Sequence, residues 1–394
     1  MAVTMKMLQL HAGYRTPAGE DTVVHAEAAA LRDAGHEVEQ HIAHNPPNAA
    51  GAVVALARSR NNRRAAAAVR QRIVEFGPDV VHVHNTWFAL SSSVFEAAAA
   101  CDVPVVMTVH NYRLGCLSVD LFRGSTVCTA CVGRTPIRGV VHGCYRDSRM
   151  LSAVAAVEVM SARRRRALDA VDRFVAPSAF MGDRLIDIGV PADRLIVKPH
   201  FTADVGERTA PPSASHELLF IGRLAPGKGL EVLMRAWERR DRRVDPQLRL
   251  TVIGDGPLAS ELHEGAPRDV DFAGWMPYDQ VQQRMLSARA LVFPSEWYEP
   301  FGMVLIEAMS AGLPIVATTA SAAAEITGTP PPLVASAGDE RSFAAALGAL
   351  DDDLVDTAGR AARARYEATY TAQAGVRDLE ALYESTISQR RSRR

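Results

Sequence analysis

Short apolar segments rich in β-branched residues alternate twice along this chain with segments of helical periodicity. In the first half the strand-like segments are KMLQLHAG, DVVHVHN, VPVVMTVHN and RFVAPS, with helical segments such as TVVHAEAAALRDAG between them. In the second half they are ELLFIGR, RLTVIGDG, VDFAG, ALVFPSE and PIVATT. Alternation of this kind is typical of βαβ units that share a parallel sheet. The sequence therefore predicts an α/β protein in which each half builds its own parallel sheet.

The length of the chain and one polar segment predict the domain boundary. At 394 residues the chain exceeds what one hydrophobic core usually organises. The segment TADVGERTAPPSASHE is polar and rich in proline and serine, as a linker is. We therefore expect a first domain over 1–205, with a cysteine-rich insert at 114–146, and a second domain over 206–394. The last helix, expected at 370–394, is a candidate to cross back to the first domain.

The charge balance and the N-terminal segment indicate where such a protein works. The chain is 48% hydrophobic and 23% charged, and its net charge is −1, so no overall field points to nucleic acid as a partner. The N-terminal MAVTMKMLQLHAG is too short in its apolar part for an export signal and lacks a small-residue cleavage site. No segment holds the roughly eighteen apolar residues that a membrane-spanning helix needs. These features predict a cytoplasmic protein whose thiols stay reduced.

One basic segment is a candidate for peripheral contact with a membrane. Residues 149–174, RMLSAVAAVEVMSARRRRALDAVDRF, have the pattern of one long helix with an apolar first half and a basic second half. Arg163 to Arg166 would suit anionic headgroups at the inner face of a membrane. A helix packed on the sheet with its arginines in water explains the pattern equally well. Both interpretations stay open at this point.

Polar residues follow several predicted strands, at the edge of a parallel sheet where ligands collect. After the first strand, HAGYRTPAGED leads through Gly19 into a helix whose N-terminal amides suit an anion, although a tight turn explains such a loop as well. His110 follows VPVVMTV, where a functional and a structural histidine are about equally expected. In the second half, Arg223 and Lys228 lie in the loop after ELLFIGR. A guanidinium and an ammonium near a helix N-terminus suit a diphosphate.

Two glutamates flank the apolar helix predicted within EWYEPFGMVLIEAMSAG. Glu299 lies at a strand-to-helix turn, and Glu307 lies among apolar residues of a helix expected between Gly302 and Gly312. The free amides that form the positive end of this helix belong to Gly302, Met303 and Val304. Eight residues of mostly helical rise separate the two carboxyls by about 12 Å, more than the roughly 5 to 10 Å of a glycosidase pair. The arrangement suits one extended anionic ligand, with phosphates on the amides and hydroxyl-bearing ends on the two carboxylates.

The stretch from Glu299 to Glu307 resembles the E-x7-E signature of retaining glycosyltransferases of the GT-B fold, the large family 4 that includes bacterial mannosyl- and N-acetylglucosaminyltransferases. The similarity extends through FIGRLAPGKGLEVLMRA, VIGDGP, FAGWMP, VFPS and AMSAGLPIVAT, which cover essentially all of the second half. The first half is similar through DVVHVHN, MTVHNYR and VDRFVAPSAF, and it has Ala18 and Gly19 where family members commonly carry paired glycines. The resemblance implies two Rossmann-like domains that face each other across a cleft.

The resemblance also implies roles for the residues of the second half. Glu299 would bind hydroxyls of the transferred sugar, and as a loop residue it is expected to contact only the ligand. Glu307 would bind the ribose. Arg223 and Lys228, with the helix amides, would neutralise the diphosphate and stabilise the departing phosphate. The chemistry would then need no catalytic metal.

Four further positions complete the site that the resemblance implies. His110 would face the sugar from the opposite domain, and Gly19 would approach the phosphates. The backbone near Trp275 and Met276 would border the base. Within the family, UDP-sugars are the commonest donors and GDP-sugars the next.

The sequence thus predicts a hexosyltransferase that moves a sugar from a nucleoside-diphosphate sugar to a saccharide or lipid-linked acceptor, with retention at the anomeric carbon. The acceptor would be held mainly by the N-terminal half. A nucleotide-sugar epimerase or phosphorylase of the same fold is a rival, because fold does not fix function. A non-catalytic nucleic-acid-binding protein that uses its arginine clusters is a second rival, which the near-neutral charge disfavours.

Four of the five cysteines lie within 29 residues that interrupt the strand-helix alternation. They are Cys116, Cys128, Cys131 and Cys144. A central C-x2-C with one flanking cysteine on each side supplies the four thiolates of a structural zinc site. The segment has little apolar content, so we expect it to lack a core of its own and to need a metal. Disulfides and four free thiols are the alternatives.

Overall fold

A computed structural model describes residues 4–13, 19–45, 61–243, 245–330 and 333–392 of the chain. Two compact units follow from the contacts between residues. Unit 1 comprises 1–121, 129–199 and 373–394, and unit 2 comprises 122–128 and 200–372. The chain therefore leaves unit 1 and returns to it. The assignment of 1–205 and 206–394 to an acceptor-side and a donor-side domain stays a prediction.

Unit 1 contains a six-stranded parallel sheet in the order β2-β1-β3-β4-β7-β8. Its strands are β1 Lys6–Gly13, β2 Glu37–His44, β3 Val80–Asn85, β4 Val105–Thr108, β7 Arg173–Ala176 and β8 Leu195–Val197. Strand β3 is buried along its whole length. Half of its residues, His82, His84 and Asn85, are nevertheless polar, so their buried side chains need hydrogen-bond partners.

The helices of unit 1 connect these strands in the right order for βαβ units. They are α1 Gly19–Asp33, α2 Arg63–Phe76, α3 Ser93–Ala100, α4 Ile137–Val141, α5 Arg149–Arg164 and α6 Ala179–Ile188, with short 3-10 turns at Ala167–Ala170 and Ala192–Arg194. Helix α2 begins where the side chain of Asn62 accepts a hydrogen bond from the amide of Ala65, and it ends at Gly77 in the left-handed conformation. The sequence thus contains the signals that start and stop this helix.

Unit 2 contains a second six-stranded parallel sheet, in the order β11-β10-β9-β12-β13-β14, and a short antiparallel pair. The strands of the sheet are β9 Glu217–Ile221, β10 Arg249–Ile253, β11 Val270–Gly274, β12 Ala290–Phe293, β13 Ile315–Thr318 and β14 Val334–Ala335. The antiparallel pair is β5 Phe122–Arg123 and β6 Thr126–Val127. Central residues of the sheet, such as Leu218, Leu250 and Val292, pack into one core with Trp237 and Phe343 from the helices.

The helices of unit 2 follow its strands along the chain. They are α7 Leu230–Arg239, α8 Ala259–Glu264, α9 Tyr278–Ser287, α10 Met303–Ser310, α11 Ala323–Thr327, α12 Glu340–Gly348 and α13 Asp352–Thr369, with a 3-10 turn at Pro212–Ala214. Helix α10 is predominantly apolar, and Leu305, Ile306, Ala308 and Met309 are buried. It is the helix that the sequence predicts between Gly302 and Gly312.

The last helix, α14 Ala372–Ser392, supplies residues 373–392 to unit 1. The fully buried Tyr383 shares a hydrogen bond of 2.7 Å with His82 of β3. Glu380 pairs with His36 at 2.8 Å. Arg390 lies 3.3 Å from Asp172. These contacts connect the end of the chain to residues about 220 to 340 positions earlier.

The structure confirms the predicted α/β class with two parallel sheets, and every segment predicted as a strand contains one. The single helix predicted over 149–174 is wrong in extent, because α5 ends at Arg164. Arg166 adopts a left-handed conformation with φ of 53°, which stops the helix, and a strand begins at Arg173. Among the described residues, no helix has both the length and the apolar character that crossing a bilayer requires.

Candidate active site

Lys228 and Glu299 form an ion pair at one edge of the sheet of unit 2. Lys228 lies in the loop after β9 and Glu299 in the loop after β12, and these two parallel strands are neighbours. Their loops therefore leave the same edge of the sheet, and the amide of Glu296 donates a hydrogen bond of 2.8 Å to the carbonyl of Gly227. The Nζ atom of Lys228 lies 2.5 Å from Oε2 of Glu299. The fold thus brings together two residues that the sequence singled out.

Trp297 completes this cluster. Its indole Nε1 donates a hydrogen bond of 2.8 Å to Oε2 of Glu299, and the ammonium of Lys228 lies 4.9 Å from the centre of a Trp297 ring. Glu299 is only 8% exposed. The expectation that Glu299 contacts only a ligand is therefore wrong: the carboxylate is buried against a cation and an indole, both of which lower the cost of removing its charge from water.

The GKG turn depends on a glycine that no other residue can replace without strain. Gly229 has φ of 77°, and a Cβ atom built on it would lie 2.0 Å from the carbonyl oxygen of Pro294. Pro294 is the first residue after β12. The close approach of the two loops, which places Lys228 beside Glu299, therefore requires the missing side chain.

Glu307 is a half-buried carboxyl on helix α10. The hydroxyl of Tyr278 donates a hydrogen bond of 3.3 Å to its Oε1. Burial raises the pKa of Glu307 to about 7, and the hydrogen bond from Tyr278 opposes that shift. The sequence signal, a lone acid in an apolar helix, correctly indicated a carboxyl whose burial needs a polar partner.

The remaining sequence-predicted residues of unit 2 also follow strands. Arg223 is exposed in the loop after β9, and Trp275, which is 75% exposed, and Met276 follow β11. Gly302, with φ of 88°, immediately precedes α10, and no side chain caps the amides of this helix start. All these positions lie at the carboxyl end of parallel strands or at a helix start, which is where doubly wound sheets bind their ligands.

In unit 1, His110 follows β4, is half-buried and contacts the buried His84. Its Nε2 lies 3.1 Å from Nδ1 of His84, and the two rings are stacked. Burial, with smaller contributions from His11, His82 and Lys198, lowers the pKa of His110 to about 3. The imidazole is therefore neutral near pH 7 and serves as a hydrogen-bonding group without charge.

His110 lines a cavity that lies entirely within unit 1. The cavity holds about 640 Å³ of space, its open mouth included. Its polar lining includes Asn111, Arg113, Glu158 and Arg163, and the guanidinium of Arg113 lies 4.3 Å from the centre of the Trp87 ring. Glu158 is not among the residues predicted from the sequence, although it has the same signal as Glu307: one acid among the apolar residues of a helix.

Residues 14–18, which precede Gly19 in its loop, lie outside the described residues. Gly19 is the first residue of α1, and a Cβ atom on it would meet nothing within 4 Å. On the same helix, Asp21 lies 3.0 Å from Nε2 of His11. The predicted role of Gly19 at a phosphate stays a prediction.

In the described ranges, the four clustered cysteines form no disulfide. Cys116, Cys131 and Cys144 belong to unit 1 and Cys128 to unit 2. In the described ranges, the one group of three metal-ligating side chains with ligand atoms within 4.8 Å is Glu27, His82 and His84. The three thiols of unit 1 therefore form no such group, and the donor arrangement described here does not by itself fit zinc.

The cysteine-rich segment packs on apolar residues that lie outside it, and the expectation that it has no core of its own stays a prediction. Leu117 and Tyr145 pack into a hydrophobic cluster with Trp87 and with the α5 residue Val159, and Cys144 packs against it. Helix α5 supplies the apolar surface that the segment itself does not have. The segment is therefore stabilised in part by burial.

Two family models match the chain. Residues 18–200 match a glycosyl transferase 4-like domain, and residues 215–353 match the glycosyl transferases group 1 domain. A glycogen synthase of Mycobacterium tuberculosis is 29% identical over 302 residues, which are 74% of this chain and 64% of that protein. The chain thus spans less than two thirds of the length of that relative.

A second curated relative and one solved structure match over most of the chain. A phosphatidyl-myo-inositol mannosyltransferase of Mycolicibacterium smegmatis is 28% identical over 375 residues, 89% of this chain and 86% of that protein. The crystal structure of HepE from Anabaena, in complex with UDP and glucose, has a TM-score of 0.67 and 21% identity, and the match covers 97% of this chain and 100% of that one. At this identity the structural likeness concerns the fold.

Proposed function

We propose that this chain, which matches two glycosyl transferase domain models and has the GT-B fold, transfers a sugar from a nucleoside-diphosphate sugar to a saccharide or lipid-linked acceptor, with retention at the anomeric carbon. The observation that carries the proposal is the cluster of Lys228, Glu299 and Trp297 at the carboxyl edge of the unit 2 sheet. A cation and a buried carboxylate in contact provide, side by side, one group for a phosphate and one for sugar hydroxyls.

In this proposal the phosphates bind between Lys228, Arg223 and the amides at the start of α10, which are contributed by Gly302, Met303 and Val304. These groups would stabilise the negative charge that develops on the departing phosphate, in the role that a metal ion plays in other enzymes. The absence of a capping side chain before α10 supports this assignment, because amides left uncapped suit an anion.

The nucleoside would lie further along the same edge. Glu307 would bind the ribose hydroxyls, and the hydrogen bond that it now accepts from Tyr278 supports a polar partner at this place. Trp275 and Met276, which precede α9, would border the base. We favour UDP over GDP as the nucleotide, since the HepE structure contains UDP.

In unit 1 we propose that the cavity lined by His110 holds the acceptor. The neutral imidazole of His110 would orient a hydroxyl of the bound sugars by a hydrogen bond. Gly19, as the first residue of α1, would lie near phosphate. The cavity combines apolar side chains with a small number of polar ones, which is the usual composition of a site for an organic ligand.

The test is a nucleotide-sugar panel on the full chain, with products analysed by NMR with and without acceptor saccharides. We expect UDP to raise the unfolding free energy by about 2.7 kcal/mol at 100 times its dissociation constant. Transfer to an acceptor with the anomeric configuration of the donor would support the proposal, whereas inversion would overturn retention, and conversion of the donor without acceptor would favour an epimerase. Lys228→Ala should weaken the binding of nucleoside diphosphates more than the binding of nucleosides. An equal loss of affinity for both ligands would overturn the phosphate-binding role of Lys228.

A further inference from the structure

Glu158 is a buried carboxyl on helix α5 that faces the cavity of unit 1. The residue is 8% exposed, and it lines the cavity together with His110, Arg113 and Trp87. Burial raises the pKa of Glu158 to about 7, and the nearby positive charges of Arg113 and Arg165 oppose that shift. The carboxyl is therefore kept in an environment that penalises its charge.

Two of the arginines near Glu158 form hydrogen bonds with other groups of unit 1. Arg163 donates hydrogen bonds to the carbonyls of Leu114 and Arg134, at 3.1 and 2.7 Å. Arg165 donates to Glu96 at 2.8 Å and to the hydroxyl of Ser92 at 2.9 Å. Within the described ranges, no protein group forms a hydrogen bond with the carboxyl of Glu158, and its oxygens lie at the cavity surface rather than sealed in the core. A buried carboxyl in this situation costs stability unless something else supplies a hydrogen bond.

We propose that Glu158 is an acceptor-binding residue and that it forms a hydrogen bond with a hydroxyl of a neutral saccharide or polyol in this cavity. The inference rests on the proposed function in one respect, that the cavity holds the acceptor.

The lining of the cavity favours a neutral ligand over a phosphorylated one. Phe95, Met107 and Val159 provide apolar surface for the C–H faces of a sugar, and Glu158 provides one site for its hydroxyls. A phosphate placed beside Glu158 would meet a second negative charge whenever the carboxyl is ionised. The guanidinium groups of Arg163 and Arg165 would also have to break existing hydrogen bonds to reach a phosphate.

The experiment uses saturation-transfer NMR on the full chain, with methyl glycosides of glucose, galactose and mannose as neutral probes and their 6-phosphates as charged ones. Glu158→Leu should weaken binding of the neutral probes about tenfold or more, because one hydrogen bond to a buried carboxyl is lost. Glu158→Gln should retain most of the binding, since an amide also bonds to hydroxyls. Glu75→Gln, the same change on an exposed helix of unit 1, should have no effect on binding or transfer.

Thermal denaturation separates a binding role from a structural one. Because Glu158 is 8% exposed and no protein group in the described ranges forms a hydrogen bond with its carboxyl, Glu158→Leu should be at least as stable as the wild type while it loses glycoside binding. Glycoside binding unchanged in Glu158→Leu, binding of the 6-phosphates alone, or no binding of any probe to the wild type would each overturn the inference. UDP binding to unit 2, measured separately, tests the proposed function. A failure of the Glu158 inference can therefore be distinguished from a failure of the proposed function.

Discussion

The ammonium of Lys228 lies 2.5 Å from the carboxylate of Glu299, so the two proposed ligand-binding groups neutralise each other. The side chain of Lys228 is 24% exposed and that of Glu299 is 11% exposed. In the proposed function, a diphosphate that binds Lys228 would compete with Glu299 for the ammonium, and the sugar would form hydrogen bonds with the carboxylate. Donor binding would then replace this ion pair by one set of contacts with the diphosphate and another with the sugar.

Glu299→Gln should abolish sugar transfer and increase the affinity for UDP. The amide retains the size of the side chain and can still accept a hydrogen bond from Trp297, but Lys228 no longer has a negative partner. A partly exposed ion pair contributes up to about 1 kcal/mol, which corresponds to a gain in UDP affinity of up to about fivefold. Titration calorimetry with UDP measures the gain. Normal transfer by this variant, or weaker UDP binding, would contradict the assignment.

Glu307 should make stability and donor affinity depend on pH in opposite directions. Its pKa in the folded chain is raised from 4.5 to about 7, so between these values the folded chain holds a proton that the unfolded chain has lost. Its contribution is fully present below pH 4.5 and lost as pH rises through 7. Relative to Glu307→Gln, the wild type should lose about 1 to 3 kcal/mol of unfolding free energy between pH 5 and 8.

Deprotonation of Glu307 should strengthen binding of the donor, because ribose hydroxyls bind a carboxylate more strongly than a carboxylic acid. The affinity for UDP-glucose should therefore rise between pH 6 and 8 in the wild type and should change less in Glu307→Gln. UDP-glucose is the suitable probe because its diphosphate, unlike that of UDP, has no terminal phosphate that titrates in this range. Parallel curves for the two proteins would exclude Glu307 as the ribose-binding group.

Gly229→Ala should destabilise unit 2 by about 3 kcal/mol or more. The new Cβ atom would lie 2.0 Å from the carbonyl oxygen of Pro294, so the loop of Lys228 must move. The matched control is Gly274→Ala, since Gly274 also has a positive φ, of 70°, but no atom lies within 4 Å of its Cβ position. That variant should lose only about 1 to 2 kcal/mol. Urea denaturation compares the two, and equal losses would show that the contact with Pro294 is unimportant.

Elemental analysis of protein purified without added metal tests the zinc prediction. The wild type would contain one zinc per chain if the cysteines bind the metal, and a variant with serine at Cys128 and Cys131 would have lost it. These two results together would establish a zinc site. The packing of Cys144 in an apolar cluster argues for a partly metal-independent segment. Four thiols that titrate freely in the native protein, without bound metal, would refute the site.

Membrane contact should depend on α4 and α5 rather than on Arg163 to Arg166. Arg163 and Arg165 are bonded within unit 1, whereas Ile137 and Met150 are 59% and 73% exposed. Two exposed arginines, Arg138 and Arg149, lie next to them in the sequence. Aspartate at Ile137 and Met150 should reduce binding to anionic vesicles, because each change removes exposed apolar surface and adds a negative charge beside the basic residues.

The control for the membrane prediction is Val74→Asp, since Val74 is 79% exposed on helix α2. This variant should bind anionic vesicles as the wild type does. Equal partition of the wild type to neutral and anionic vesicles would remove the electrostatic part of the idea. A loss of binding in all variants alike would indicate a general effect of added negative charge.

The strands were predictable because buried parallel strands are short, apolar and β-branched. Strand β2, EVEQHIAH, escaped prediction because it forms an edge of the sheet and its residues are mostly half-buried and polar. The residues of the Lys228 and Glu299 cluster were predicted individually but not as a pair. Their contact depends on β9 and β12 being neighbours, and strand order does not follow chain order in a doubly wound sheet.

Two other differences have physical causes that a local pattern does not contain. The arginine run at 163–166 has the composition of a helix, yet the chain turns there because Arg163 and Arg165 bind groups elsewhere in unit 1 and Arg166 is left-handed. The cysteine-rich segment has little apolar sequence, yet it packs on a helix that lies later in the chain. In both cases distant contacts override local preference.

The return of α14 to unit 1 affects the order in which the protein can mature on the ribosome. Domains generally fold from the N-terminus as they emerge. Here, however, Tyr383 fills a fully buried place beside His82, and the two residues are 301 positions apart. When residue 199 is complete, this part of unit 1 still lacks a core side chain, which is synthesised about 10 to 40 s later at ordinary elongation rates. The continuous stretch 200–372 is made in that interval. Unit 2 can therefore fold before the last helix of unit 1 has been synthesised.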